Sequence, residues 1–173
     1  MSTNVAGYNP STMARIGDIT GGVHVKTGTI ENTVALPSGA YDIFTVYGRV
    51  RILGLDIEAV TAFAADATLV KFRFTSTTPS VGISDISAAS LSIASIPIGA
   101  KVVWRGTAVA TAPDVMATQA GIAWPTDWMD VGHTAGVGII TATSSIAAQT
   151  SGSCRFNIYY LPISEGAYVV ALV

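Results

Sequence analysis

The sequence contains very little cysteine and very little charge. Cys154 is the single cysteine of the 173 residues, so the chain alone cannot form a disulfide or a cysteine-based zinc site. The 9 basic and 11 acidic residues make up 12% of the chain, about half the charged fraction of a typical soluble domain. A net charge of −2 without any basic run argues against nucleic-acid binding. We expect Cys154 to be buried and expect no nucleic-acid partner.

Long apolar runs and targeting signals are also missing. No stretch of about 18 apolar residues occurs, so the sequence predicts no transmembrane helix and no membrane partner. The first ten residues lack a basic region followed by an apolar one, so we expect no signal peptide. Half of the residues are hydrophobic, which excludes disorder for most of the chain.

The residues that are abundant favour β-structure. The chain has 18 Val, 17 Ile and 20 Thr, against 7 Leu, 3 Glu, 3 Lys and 2 Gln. Side chains branched at Cβ fit strands well, whereas the unbranched helix formers other than Ala are nearly absent. Polar and apolar residues alternate along several segments, as in strands with one buried face. These segments are Val23–Thr29, 44–59, Ala67–Thr78, Lys101–Val109, Val137–Thr143, 153–161 and Ala167–Val173.

The clearest strand, residues 44–59, carries a bend. Its alternation changes parity at Leu53-Gly54, and such a change requires an extra residue, so we predict a bulge there. Residues 81–98 are ambiguous: Ile83–Ala89 fits a helical turn or two, and Leu91–Ile98 fits a strand.

The predicted architecture is all-β: an antiparallel sandwich or barrel, jelly-roll-like, with about eight strands. Residues 1–22 lack periodicity and are rich in Gly, Ser, Thr and Asn, which predicts an extended N-terminal arm or tail. Residues 23–173 then form a single β-domain. Within it, residues 110–136 read as a long loop or insertion.

No motif for catalysis, a cofactor or a metal stands out. His24 and His133 have no His or Cys at metal-ligand spacing. The Gly132–Gly136 segment has the outline of a nucleophile elbow with Thr134 in the nucleophile's place, but it lacks a strand-to-helix turn, and we interpret it as a flexible loop. Asp56 and Glu58 share a strand face and are expected to be solvated or salt-bridged, as are Asp127 and Asp130. We therefore predict no enzyme, no cofactor and no metal.

Four basic residues are candidate partner contacts. Arg49 and Arg51 lie on the polar face of one predicted strand, and Lys71 and Arg73 on that of another. If the two strands are neighbours, the four charges repel unless Asp56, Glu58 or another chain neutralises them. The face is then either simply solvated or a patch that binds an acidic surface.

Aromatic residues outside the strands are further candidate contacts. Trp124 and Trp128 lie in the predicted 110–136 loop, beside Pro125. They fit either an interface anchor or a plug packed on their own domain. Tyr8 lies in the predicted arm, which we expect to contact a neighbour if it is ordered.

Three segments resemble a family of small virion proteins of tailed bacteriophages, the capsid decoration or cement proteins. They are Ile43–Val60, Asp85–Gly99 and Cys154–Val170, with Phe-Thr-Val-Tyr-Gly-Arg-Val-Arg-Ile early and Tyr-Leu-Pro-Ile-Ser-Glu-Gly-Ala-Tyr-Val at the end. The similarity covers about half of the chain. The 110–136 segment has no counterpart in it.

The resemblance implies a β-rich subunit, a trimer by preference, that lies on the capsid surface and bridges neighbouring copies of the major capsid protein. The protein would be made in the host cytoplasm and located in the virion. Two alternatives stay open: a tail or baseplate component, and a carbohydrate-binding receptor-recognition module that uses Trp124 and Trp128.

Overall fold

Nine antiparallel strands form one sheet in the described part of the chain. The computed structural model describes residues 39–80, 82–104, 111–116 and 128–172, and the backbone of 24–30. The strands are β1 (His24–Ile30), β2 (Gly39–Thr61), β3 (Leu69–Thr78), β4 (Gly82–Asp85), β5 (Lys101–Trp104), β6 (Asp114–Met116), β7 (Met129–Ser145), β8 (Ser153–Pro162) and β9 (Tyr168–Ala171). The predicted all-β, antiparallel class is confirmed. No described segment is a helix long and apolar enough to cross a membrane.

The 23-residue strand β2 organises the sheet. The strand order is β1-β8-β2-β7-β3-β4, while β5 and β9 also pair with β2 and β6 pairs with β5. The sheet curls into a half-barrel. Pairing between β2 and β8 shifts register between Ile52 and Gly54, so the bulge predicted at Leu53-Gly54 is confirmed. Such a bulge bends the strand. One edge of β2 pairs with β9 at residues 44–47 and with β8 from Val50 onward.

The core lies on one face of the curled sheet, which we call the inner face; the opposite side is the outer face. Alternate residues of the paired strands are fully buried there, including Phe44, Val46, Phe72, Ile140 and Ile158. Residues 86–100 close the core by burying Ile86, Ile93 and Ile96 against it. Full burial of each such side chain stabilises the fold by about 1.5–3 kcal/mol.

Three sequence predictions need correction or fall outside the described residues. The predicted 110–136 loop contains strand β6 and the first half of β7. Residues 86–100 form neither a helical turn nor a strand, because their amides bind carbonyl groups of several elements in turn, such as Ile93 N to Thr68 O and Ser95 N to Ala64 O. The expected arm, residues 1–22, lies outside the described residues.

Candidate functional site

A cluster of charged side chains forms where β2 pairs with β7 on the outer face. The register places Arg51 opposite Asp130 and Arg49 opposite Gly132. The Asp130 carboxylate accepts hydrogen bonds from Arg51 Nε at 2.7 Å and Arg51 Nη2 at 3.2 Å, and another from Arg49 Nη2 at 3.1 Å. One carboxylate therefore orders two arginines that otherwise repel each other.

Trp128 completes this cluster. The guanidinium carbon of Arg51 lies over the indole ring, 4.8 Å from its centroid, which is cation–π geometry. Trp128 remains 56% exposed. We call Arg49, Arg51, Trp128 and Asp130 the Arg–Trp cluster.

Glycines allow the backbone to hold this arrangement. Gly48 and Gly132 both have positive φ, 75° and 87°, a conformation that favours glycine. A Cβ on Gly48 would lie 2.7 Å from Ser164 Oγ and 2.8 Å from Ala167 Cβ, so the 163–167 turn packs directly on β2. The amide of Arg49 donates to Ser164 Oγ at 2.9 Å, and its carbonyl accepts from the amide of Ile163 at 2.8 Å.

A second charged cluster lies where β3 pairs with β4. Asp85 accepts from Lys71 Nζ at 2.6 Å and from Arg73 Nε at 3.1 Å. We call these three residues the Asp85 cluster. The Lys71 hydrogen bond, followed by smaller effects of Lys71 and Arg73 charge, lowers the pKa of Asp85. The Arg51 hydrogen bond likewise lowers the pKa of Asp130 in the first cluster.

The four basic residues do not form one patch, because β7 separates β2 from β3. Arg73 is level with Thr141 of β7, whereas Arg51 is level with Asp130. These two positions of β7 are 11 residues apart, at most about 36 Å at about 3.3 Å per residue. Each pair has its own aspartate, Asp130 or Asp85, and the partners suggested from the sequence, Asp56 and Glu58, bind elsewhere.

Asp56 is the centre of a buried polar group on the outer face. Its carboxylate is 1% exposed and accepts from Asn157 Nδ2 at 2.6 Å and Tyr159 Oη at 3.1 Å. Lys101 Nζ lies 3.5 Å from Asp56 and 3.7 Å from Glu58. Burial, together with the charge of Asp56, raises the pKa of Tyr159 to about 12. These partners satisfy the carboxylate, so this group serves the fold.

The aromatic pair Tyr47–Tyr168 is a feature that sequence reasoning missed. The rings stack with centroids 4.6 Å apart and planes 15° apart, and Tyr168 is exposed. Tyr47 lies two residues before Arg49 on the same outer face, so the stack continues the Arg–Trp cluster along β2. The alternation of Tyr47 with Arg49 was visible in the sequence, but its partner on β9 was not.

The described residues include no group of three His, Cys, Asp or Glu side chains placed to bind a metal. His133 is exposed, and the Gly132–Gly136 segment is an irregular part of β7. Cys154 is buried, which raises the pKa of its thiol to about 12. Trp124 and Tyr8 lie outside the described residues, so Trp128 is the aromatic candidate that the structure places in a site.

Comparisons with known proteins give no match: no protein-family model, curated protein sequence or solved structure matches this chain.

Proposed function

We propose that this chain is a structural virion protein of a tailed phage, which decorates the capsid and stabilises it by bridging neighbouring subunits of the major capsid protein. The observation that carries the proposal is the Arg–Trp cluster. Trp and Arg are the side chains that contribute most to protein–protein binding, and in this cluster Trp128 is exposed while Asp130 holds Arg51 in place. A contact surface ordered in advance loses little entropy on binding.

The resemblance to decoration proteins also supports the proposal. Its first and last segments, Ile43–Val60 and Cys154–Val170, pair with each other along β2, β8 and β9. The third segment, Asp85–Gly99, buries Ile86, Ile93 and Ile96 in the same core. The residues that carry the resemblance therefore form one packed unit, and the Arg–Trp cluster lies on its outer face.

The test is binding to empty capsids assembled from the major capsid protein of the same genome. We expect the protein to co-sediment saturably with these capsids and to raise their melting temperature. A ligand that binds only the assembled lattice adds about 2.7 kcal/mol at a hundredfold excess over Kd. Absence of binding, with an unchanged capsid melting temperature, would contradict the proposal.

Variants locate the contact. Trp128→Ala is expected to weaken capsid binding by about 10- to 100-fold, the usual effect of truncating a central interface aromatic. Lys71→Ala, which removes a cation from the distant Asp85 cluster, is the matched control and should bind like the parent protein. Equal binding by all three proteins would place the contact elsewhere.

A carbohydrate-binding module is the second candidate, favoured by one observation. Trp128 leaves more than half of its surface exposed, next to the hydrogen-bonding groups of Arg51 and Asp130. Sugars stack on such rings while neighbouring polar groups bind their hydroxyls. Binding to a glycan array that disappears in Trp128→Ala, without any binding to capsids, would favour this function.

A further inference from the structure

Three segments meet at the end of the half-barrel where β2 and β7 finish and β3 and β8 begin. They are residues 59–68, 86–100 and 144–153, which we call the uncharged end. Five backbone hydrogen bonds join the first two segments, among them Ile93 N to Thr68 O at 2.9 Å, Phe63 N to Ile96 O at 3.1 Å and Gly99 N to Ala59 O at 2.7 Å.

Side chains fix the third segment to the first. Buried Gln149 donates from Nε2 to Asp66 O at 2.9 Å and to Thr68 Oγ1 at 3.1 Å. Thr150 donates to the Asp66 carboxylate from its amide at 2.8 Å and from its hydroxyl at 2.7 Å. The three loops are therefore cross-linked into one ordered surface.

This surface contains almost no charge. Its 35 residues include a single charged one, Asp66, whereas the 12% average of the chain predicts about four. Two hydrogen bonds from Thr150 hold one oxygen of the Asp66 carboxylate, Oδ2. Charges lie just beside this end on the outer face, at Glu58, Lys101 and Arg155.

The most exposed large hydrophobic side chains of the described residues all lie on the uncharged end. Leu91 is 74% exposed, Ile146 74% and Ile98 68%. Ile146 also has a φ of 75°, which is unfavourable for a β-branched residue. An exposed isoleucine in a strained conformation has no role in the chain's own core. Exposed apolar side chains inside a polar rim are typical of a protein interface.

We propose that the uncharged end is the surface through which copies of this chain bind each other. A partner with an ordinary charged surface would lose the hydration of its charges against this end without gaining an opposite charge. A second copy brings an equally uncharged surface, whose one carboxylate, Asp66, already accepts hydrogen bonds from Thr150. This inference does not depend on the capsid proposal, since a chain that ignores capsids can still self-associate through this end.

The size of the uncharged end suits a stable interface. A standard interface covers about 800 Å² and 20–30 residues on each partner. That area is about a tenth of the 8815 Å² accessible surface of the chain, and 23 of the 35 residues of the uncharged end are at least partly exposed.

The test is the oligomeric state of the full chain, measured by sedimentation equilibrium from low micromolar to the highest soluble concentration. We expect concentration-dependent association. Ile98→Glu on the uncharged end should raise the dissociation constant at least about tenfold. Ile83→Glu adds the same charge at an exposed isoleucine of β4, away from this end, and should associate like the parent chain.

A second variant separates association from folding. Ile146→Asn removes an exposed apolar side chain and places a residue that tolerates positive φ, so it should weaken association without lowering the melting temperature. A parent chain that stays monomeric at every concentration would overturn the inference. The inference would also be overturned if Ile83→Glu disrupted the oligomer while Ile98→Glu and Ile146→Asn left it intact.

Discussion

At the scale of single residues, Asp130 determines the shape of the candidate contact surface. Its carboxylate binds Arg49 and Arg51 together, and Arg51 in turn holds Trp128 through its ring face. The composition suggested that the arginines needed an acidic partner. The sequence placed Asp130 in a loop, however, and only the β2–β7 register shows that it lies opposite Arg51.

Asp130→Asn is expected to lower the free energy of unfolding at neutral pH by about 1 kcal/mol. The value is kept small because the ion pairs are partly exposed and solvent screens them. The loss has a pH signature, since the folded-state pKa of Asp130 is lowered from its ordinary value of 3.8. A lowered pKa stabilises the fold above pH 3.8, and this contribution disappears as the pH falls through the folded-state value.

Urea unfolding of the parent chain and Asp130→Asn at pH 7 and pH 3 measures this difference. The difference between the two proteins should be largest at pH 7 and smaller at pH 3. Asp85→Asn is the matched control for the second cluster, because the pKa of Asp85 is lowered in the same way. A difference that persists unchanged at pH 3 would show that the substitution acts through something other than the charge of Asp130.

At the scale of elements, the contact between β2 and the 163–167 turn depends on Gly48. Gly48→Ala is expected to destabilise the fold by roughly 2–4 kcal/mol, because the new Cβ meets Ser164 and Ala167 in addition to the strain at positive φ. Gly166→Ala is the matched control: its φ of 71° is similar, but nothing lies within 4 Å of the new Cβ.

Gly166→Ala should lower the free energy of unfolding only by the cost of the left-handed backbone conformation, about 1–2 kcal/mol. Urea denaturation midpoints of the two variants give the comparison directly. Equal losses would mean that the packing of the turn on β2 contributes nothing beyond the left-handed backbone.

The strands could be predicted where polar and apolar side chains alternate regularly. They could not be predicted where glycines interrupt this alternation. β2 and β3 alternate well, and both were expected from the sequence. β7 was recognised only from Val137 onward, because glycines interrupt the pattern. The structure explains two of them: a Cβ on Gly132 would meet the carbonyl of Gly48, and one on Gly136 the carbonyl of Thr78. Such glycines are required because a neighbouring strand approaches closely. A single sequence does not show which strand that neighbour is.

The sequence predicted which residues belong to the candidate site, but not which of them lie next to each other. Arg49, Arg51 and Trp128 were chosen from the sequence and lie together. Lys71 and Arg73 would lie beside them if β2 and β3 were neighbours, but β7 lies between these two strands. Strand order depends on pairing between segments that are distant in the sequence. The alternation of residues within one strand does not show which strand lies beside it.

At the scale of the whole molecule, protection from hydrogen exchange should follow the sheet order. The strands β8, β2, β7 and β3 have neighbours on both sides, whereas β4 and β6 each pair with one described strand over a few residues. Amides of these four inner strands are therefore expected to exchange slowest, and those of β4 and β6 fastest.

Mass spectrometry of peptides from the exchanged protein measures this gradient. Protection of β4 equal to that of β2 would indicate a partner on the edge of β4 that faces no described strand, and would contradict the expected gradient.

The central position of β2 also constrains when the protein can fold during its synthesis. Its partners β7, β8 and β9 begin about 90 to 130 residues after β2 begins. As the nascent chain leaves the ribosome, β2 emerges with its apolar face uncovered. This face stays uncovered until most of the remaining sequence has been synthesised. The sheet cannot close until residue 171 is outside the exit tunnel, so the fold forms late, and a chaperone that shields β2 in the interval would raise the yield of native protein.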